Sequence, residues 1–328
     1  MVFGNSVKLQ IGEETTYGTA ATTTKQVKIS SESFKPVYNK IDEGLATGGR
    51  GEGLKQTMGI KVEGGLSTLL RPDMGYLIFG ALGVQDTDAG EGTDYKHTFT
   101  CIQNGESYHL PSFTVKVDRK VGIFAYNGVK VSTMSLSAAA GDFVKADFNF
   151  VGRTETSGAT LASLTPSALR AFKFAQGKVY KKVSDDFVEI ADVTNMTVDF
   201  DNGLDSDTQT TSTGDFYEQP EAGTRKITVN LDMIYNAAAE QFRTAYYKTD
   251  NTLAVRLIFT SDEYADSTSG SEVPYSMTID IPCCQMSDAT ANMGSLDKLP
   301  QSVTLNAVDN LEDELITIEL VNKDSADY

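Results

Sequence analysis

At 328 residues the chain has room for about two domains, each with a core of its own. Its 45 acidic against 28 basic side chains give a net charge of −17, the wrong sign for gripping nucleic acid through its phosphates. Two histidines leave His-based catalysis little to work with, three cysteines imply no disulfide framework, and there is no Trp to serve as a sugar-stacking platform.

The longest apolar run, Met74 to Val84, is interrupted by glycines and falls far short of the roughly 20 residues of a membrane span. No basic-then-apolar segment precedes Gly12, so no membrane partner is expected, and with only three cysteines synthesis in a reducing cytosol is.

In chain order, Val7–Ile11 alternates as a short strand, and Gly12–Thr19 is polar and turn-rich. Val27–Phe34 reads as a strand. Pro36–Thr57 lacks a hydrophobic period and is expected to be a long open arm. Gly59–Glu63 alternates strictly, as a strand does, and is followed by Leu69, Leu70, Met74, Leu77, Ile78, Ala81 and Leu82 at helical spacing, stopped by Gly83. Residues 85–94 read as a Gly/Asp-rich loop. Strands are predicted at 95–102 and 113–117, and Asn127-Gly128 carries a hairpin-turn signal. A hairpin is predicted from 129–136 and 144–150 around Ala139–Asp142, and 152–168 has the composition of a connection.

The second half repeats this order. Val193–Phe200 matches Val27–Phe34, Asp201–Thr224 is a second open arm, and Lys226–Asp232 takes the place of Gly59–Glu63. A helix capped by Asn236 follows, with Ala238, Phe242, Ala245 and Tyr246 on one face. Strands at 253–260, 276–281 and 303–307 would match 95–102, 113–117 and 144–150, leaving 314–321 without a counterpart. The expected fold is mainly β: two tandem β-sandwich or partial-barrel domains, each with one packed α-helix and a long extended arm. Their expected bounds are 1–155 and 178–328, joined by 156–177.

No motif carries catalytic chemistry. His97 and His109 stand beside no nucleophile signature, and Gly48–Gly53 lacks the strand, helix and Lys-Ser/Thr of a phosphate loop. Asp199–Asp207 places oxygens at alternate positions as calcium loops do, without the closing bidentate Glu. Cys101, Cys283 and Cys284 read as strand or core residues. No enzyme, cofactor or metal is expected. Charge is uneven: residues 1–165 hold 16 basic and 17 acidic side chains, residues 166–328 hold 12 and 28.

The Gly12–Thr19 opening, Glu32-Ser33-Phe34 running into a long arm, the mid-chain helix, and Gly128–Gly152 with its Ala-Ala-Gly-Asp turn resemble the tail tube (major tail) proteins of long-tailed, non-contractile bacteriophages. The resemblance implies a structural virion protein whose rings stack into the conduit for DNA ejection. Duplicated members make trimeric, pseudo-hexameric rings, and single-domain members make hexamers. Partners implied are tail terminator, tape measure and distal tail proteins, with DNA passing through unbound. Inter-ring contacts would fall on the arms, at Asp42, Glu43, Arg50, Glu52, Lys55, Asp205, Asp207, Asp215 and Glu218. The polar parity of the strands offers Glu32, Glu63, Asp147, Asp199, Asp232 and Asp280 as lumen residues. The competing class is a surface or secreted β-sandwich binding module, for carbohydrate for instance, which would call for a signal segment and exposed aromatic platforms.

Overall fold

Alternating apolar and polar residues run through most of the chain, and the computed structural model turns that period into antiparallel strands. It describes residues 3–45, 51–102, 109–249, 251–268, 272–292, 298–325 and 328. The first half supplies β1 (Lys8–Glu13), β2 (Lys25–Val27), β3 (Ser31–Glu32), β4 (Lys35–Asp42), β5 (Lys55–Leu69), α1 (Gly75–Leu82), β6 (Gly83–Ala89), β7 (Tyr95–Cys101), β8 (Phe113–Asp118), β9 (Ile123–Ala139), β10 (Lys145–Gly152) and β11 (Thr154–Ser157). The second supplies β12 (Gly177–Val183), β13 (Asp186–Glu189), β14 (Val193–Asp201), β15 (Lys226–Ile234), α2 (Ala237–Phe242), β16 (Leu253–Asp266), β17 (Val273–Ala291), β18 (Pro300–Ala307) and β19 (Thr317–Asn322).

One continuous inner sheet runs β5–β10–β9–β14–β15–β18–β17 and crosses from the first half to the second where Leu136 faces Val198. Two outer sheets cover it, in the order β2–β1–β8–β9–β11 and β13–β12–β16–β17–β19–β7–β6. The long strands β9 and β17 each belong to an inner and an outer sheet. Between the layers lie Leu9, Val115, Phe148, Phe150 and Leu136 on one side and Val229, Leu257, Ile279, Leu305 and Ile318 on the other, all buried. At about 1.5–3 kcal/mol for each large apolar side chain removed from water, this layer is the main source of stability.

The same pairings occur in both halves. β3–β5–β10–β9 corresponds to β14–β15–β18–β17, β2–β1–β8–β9 to β13–β12–β16–β17, and β9–β11 to β17–β19. This shifts the alignment expected from sequence: 113–118 answers to 253–266, 123–139 to 273–291, and the last strand has its counterpart in β11. The hairpin β6–β7 lies in the first half yet extends the second outer sheet through β19.

Several local expectations are overturned. Asn127-Gly128 is no turn: both residues stand opposite the single Thr114, and Gly128 has φ +67°. This β-bulge bends β9 from the outer sheet into the inner one. The first half of the loop expected at 85–94 is strand, the end of β6, and only 90–94 form the loop. Leu69 ends β5, so the helical spacing read from Leu69 onward ran a strand end together with α1, which starts at Gly75. Asn236 does cap α2, accepting from the N–H groups of Ala238 and Ala239, but the packed face is Ala239, Phe242 and Tyr246, with Ala238 and Ala245 exposed.

Candidate functional site

On the inner sheet one parity packs on the core and the other is polar across its whole width. One cross-strand row reads Ser67, Asp147, Ser135, Asp199, Thr228, Asn306, Gln285. A parallel row reads Lys145, Ser137, Thr197, Asn230, Thr304, Asp288, and another Gly65, Asn149, Thr133, Asp201, Lys226. Side chains bond one another along these rows. Ser135 Oγ donates to Asp199 Oδ1 at 2.6 Å, Ser302 Oγ to Asp232 Oδ1 at 2.6 Å, and Asn195 Nδ2 to Asp232 Oδ2 at 3.1 Å. Thr304 donates to Asn230 at 2.9 Å and Asn149 to Thr133 at 2.8 Å. Many hydroxyl and amide donors on this face are therefore already engaged.

Four of the six lumen candidates lie here: Asp147 and Asp199 in one row, Asp232 nearby, and Glu63 at the β5 end, where Lys61 pairs with it at 2.9 Å. The other two do not. Glu32 stands opposite the buried Leu66, hence on the packed side, and accepts from Arg119 Nε and Nη2 at 2.8 Å each. Asp280 is on the outer sheet, forked by Arg256, whose guanidinium lies 3.9 Å from the Phe187 ring centroid. Strand period alone cannot tell an inner sheet from an outer one. Sequence reasoning also missed Asp201 and Asp288. Asp201 shares the parity of Asp199 and was legible, whereas Asp288 follows a bulge that resets the alternation of β17.

The first arm is not aperiodic coil. β4 and β5 pair from Lys35↔Glu63 to Asp42↔Lys55, forming a hairpin that projects beyond the sheet. In its distal part, from Lys40 and Thr57 outward, both faces meet solvent among the described residues, so no burial-driven alternation marks it in the sequence. Tyr38, Ile41, Leu45, Leu54 and Met58 are exposed along it, Leu54 by 93 %. Asp42 accepts from the N–H groups of Gly44 and Gly53, Glu43 accepts from Gln56, and Glu52 pairs with Lys55 at 2.9 Å. Arg50 lies outside the described residues.

The second arm, from Asn202 to Arg225, forms no strand and is not extended. It folds back on itself through Asp205 N–H to Glu221 O and Glu218 N–H to Thr208 O, and then onto the first hairpin. The Ile60 N–H donates to Asp215 O at 2.7 Å, Lys61 pairs with Asp207 at 2.8 Å, and Tyr217 meets Asn39 and Gly59. Its calcium-like carboxylates have other partners. Asp201 accepts from Gly203 N–H, and Asp205 accepts from Asp207 N–H and Thr208 Oγ1, donors that lower the Asp205 pKa. Among the described residues no group of three or more His, Cys, Asp or Glu is placed to hold a metal ion. Both arms leave the sheet at the end marked by the row Gly65–Asn149–Thr133–Asp201–Lys226.

Three buried polar groups hold the arms' base. Glu14 accepts from Gly18 N–H, Ser112 Oγ, Thr114 Oγ1 and Gly128 N–H at 2.8–2.9 Å, tying the opening segment to the bulge. Asn202 Nδ2 donates to Ala81 O and Val131 O. Lys130, fully buried, donates to Pro220 O at 3.1 Å and sits 5.7 Å from the Tyr17 ring centroid, and burial lowers its pKa to about 8. His97 is buried between Thr87 and Asn322, and His109 is exposed. Burial pushes the Cys101 thiol up to about 11 and that of Cys284 up to about 12, away from nucleophilic reactivity. Among the described residues no helix is long and apolar enough to cross a membrane.

These observations define a mainly β, sandwich-type protein with one polar sheet face and two arms at one end of it. More narrowly, the chain belongs to the phage tail tube protein family, whose model matches residues 4–307. No curated protein matches the sequence. Membership makes the chain a structural component of a phage tail, in a family of oligomers that stack into a tube and that is not a family of enzymes.

Proposed function

We propose that the chain closes as three copies into a ring, with the polar inner face lining the bore through which the genome leaves during ejection. Rings would stack through the arms that leave one end of the sheet, towards the end that carries the β9–β10 turn and the exposed Phe143 of the next ring. The recurring pairings support two tandem tube-type units, the first within 1–155 and the second within 178–328. The chain would be made in the host cytoplasm, its tube would meet terminator and distal tail proteins at the two ends, and the bore would hold a tape measure before DNA.

One observation carries this reading: the polar face crosses both halves and ends in two edges that are unpaired among the described residues. One is β3–β4 beyond β5, and the other is the 285–291 stretch of β17, which pairs only with β18. Exposed edges of this kind are removed by ring closure. Counting β3, each chain offers eight strands. Three chains at about 4.8 Å per strand, tilted by about 35–45° as sheet closure requires, give a cylinder roughly 45–52 Å across at the backbone, or about 35–42 Å inside the side chains. That passes a DNA duplex, whereas six chains would more than double the bore. The mass of an isolated ring, with the symmetry of its end-on view, tests this directly. Three chains with six similar lobes are expected. Six chains, or compact particles without rings at every concentration, would overturn it.

A further inference from the structure

We propose that the two arms of each chain act as one composite arm, so that a ring offers the next copy of this chain one contact per subunit rather than two. The inference rests on the tube reading and adds to it. By the recurring pairings the arms leave equivalent places, one before β5 and the other before β15. Equivalent arms would each reach outward; these two are joined to each other.

The joint is a backbone one as well as a side-chain one. Ile60 and Phe216 form a parallel β-bridge, with the 2.7 Å bond from Ile60 N–H to Asp215 O. Gly59 lies against the Tyr217 ring so closely that a Cβ would come within 2.4 Å of the hydroxyl oxygen, so the contact depends on glycine there. Lys61, only 15 % exposed, takes Asp207 and Glu63 together. Arg153 lies over Phe216 and Tyr17. At the base Lys130 holds Pro220.

Charge follows the same arrangement. Asp205, Asp207, Asp215, Glu218 and Glu221 make the second arm acidic, and it rests on Lys61, Arg153 and Lys130 of the nearly neutral first half. Part of the acid excess of the second half is thus met inside the chain. The first hairpin keeps apolar side chains exposed beyond the joint, Tyr38 on one face and Ile41 on the other, with Leu45, Leu54 and Met58 towards its end. Exposed apolar side chains on a braced, projecting hairpin, in a family that stacks into tubes, fit insertion against a second copy of the chain.

The test locks the joint. Bridge partners have Cα atoms within reach of a disulfide, so the double variant Ile60→Cys, Phe216→Cys can be assembled with and without reductant. Equal tube yield in both states is expected. Rings that stack only after reduction would show that the arms must part, and would overturn the proposal. If the double variant fails to assemble even when reduced, Tyr217→Ala with Asp207→Lys decides: stable rings with at least a tenfold loss of stacking support the composite arm, and wild-type tubes refute it. Wild-type protein that forms neither rings nor tubes would remove the tube reading itself.

Discussion

Glu14 and Lys130 show how single buried polar groups are made tolerable. The four donors around Glu14 replace its lost hydration, and replacing it by Ala would strand them in the interior. Such a change should cost about 3 kcal/mol or more, read as a lower urea midpoint with unchanged slope. Lys130 is less well compensated. Its folded pKa of about 8 lies below the 10.5 of an exposed lysine. Between these values the unfolded chain binds more protons than the folded one, so stability rises with pH through that window; below pH 8 the whole desolvation cost is present. Lys130→Met should therefore flatten the rise in unfolding free energy between pH 7.5 and pH 9.5. A wild-type slope in the variant would show that another group controls it.

At the scale of elements, much of the sheet was legible in the sequence. Val193–Asp201, Lys226–Ile234 and the β9–β10 hairpin have one buried and one wet face, and the period of two records that. The outer part of the hairpin β4–β5 has two wet faces and left no period. The bulge at Asn127-Gly128 looked like a turn because the same left-handed glycine serves both purposes. A Cβ at Gly128 would sit 3.0 Å from Arg153 and the Tyr17 ring, so Gly128→Val should lower thermal stability, by about 2 kcal/mol or more once backbone strain is added. The arms differ as well. Excising 42–55 removes no buried residue among the described ones and should leave the unfolding midpoint unchanged while abolishing stacking. Excising 202–224 removes buried Asn202 and the partner of Lys130, and should destabilise the subunit by several kcal/mol. Equal midpoints for the two deletions would contradict this division.

Over the whole molecule, the sequence revealed a polar parity but not which of three sheets each strand joins, because that depends on pairings between distant segments such as β9 with β14. Once sorted, the inner face is a layer of hydroxyls and amides with carboxylates at Glu63, Asp147, Asp199, Asp201, Asp232 and Asp288, partly offset by Lys61, Lys145 and Lys226. In the proposed bore a DNA duplex would pass at a distance from the wall on the order of the Debye length, roughly 8 Å in physiological salt. Like charge would keep phosphates away at that range. The carboxylates also engage Ser135, Ser302 and Asn195, donors that a phosphate could otherwise use. Replacing Asp147, Asp199 and Asp232 together by Lys should leave tubes intact, because the side chains point off the core, yet slow ejection severalfold, with the effect shrinking as salt is raised. Asp280→Lys, on the outer sheet, is the control that should not slow it. Particles carrying the triple substitution that eject at the wild-type rate, or an equal slowing by Asp280→Lys, would remove this face from the path of the DNA.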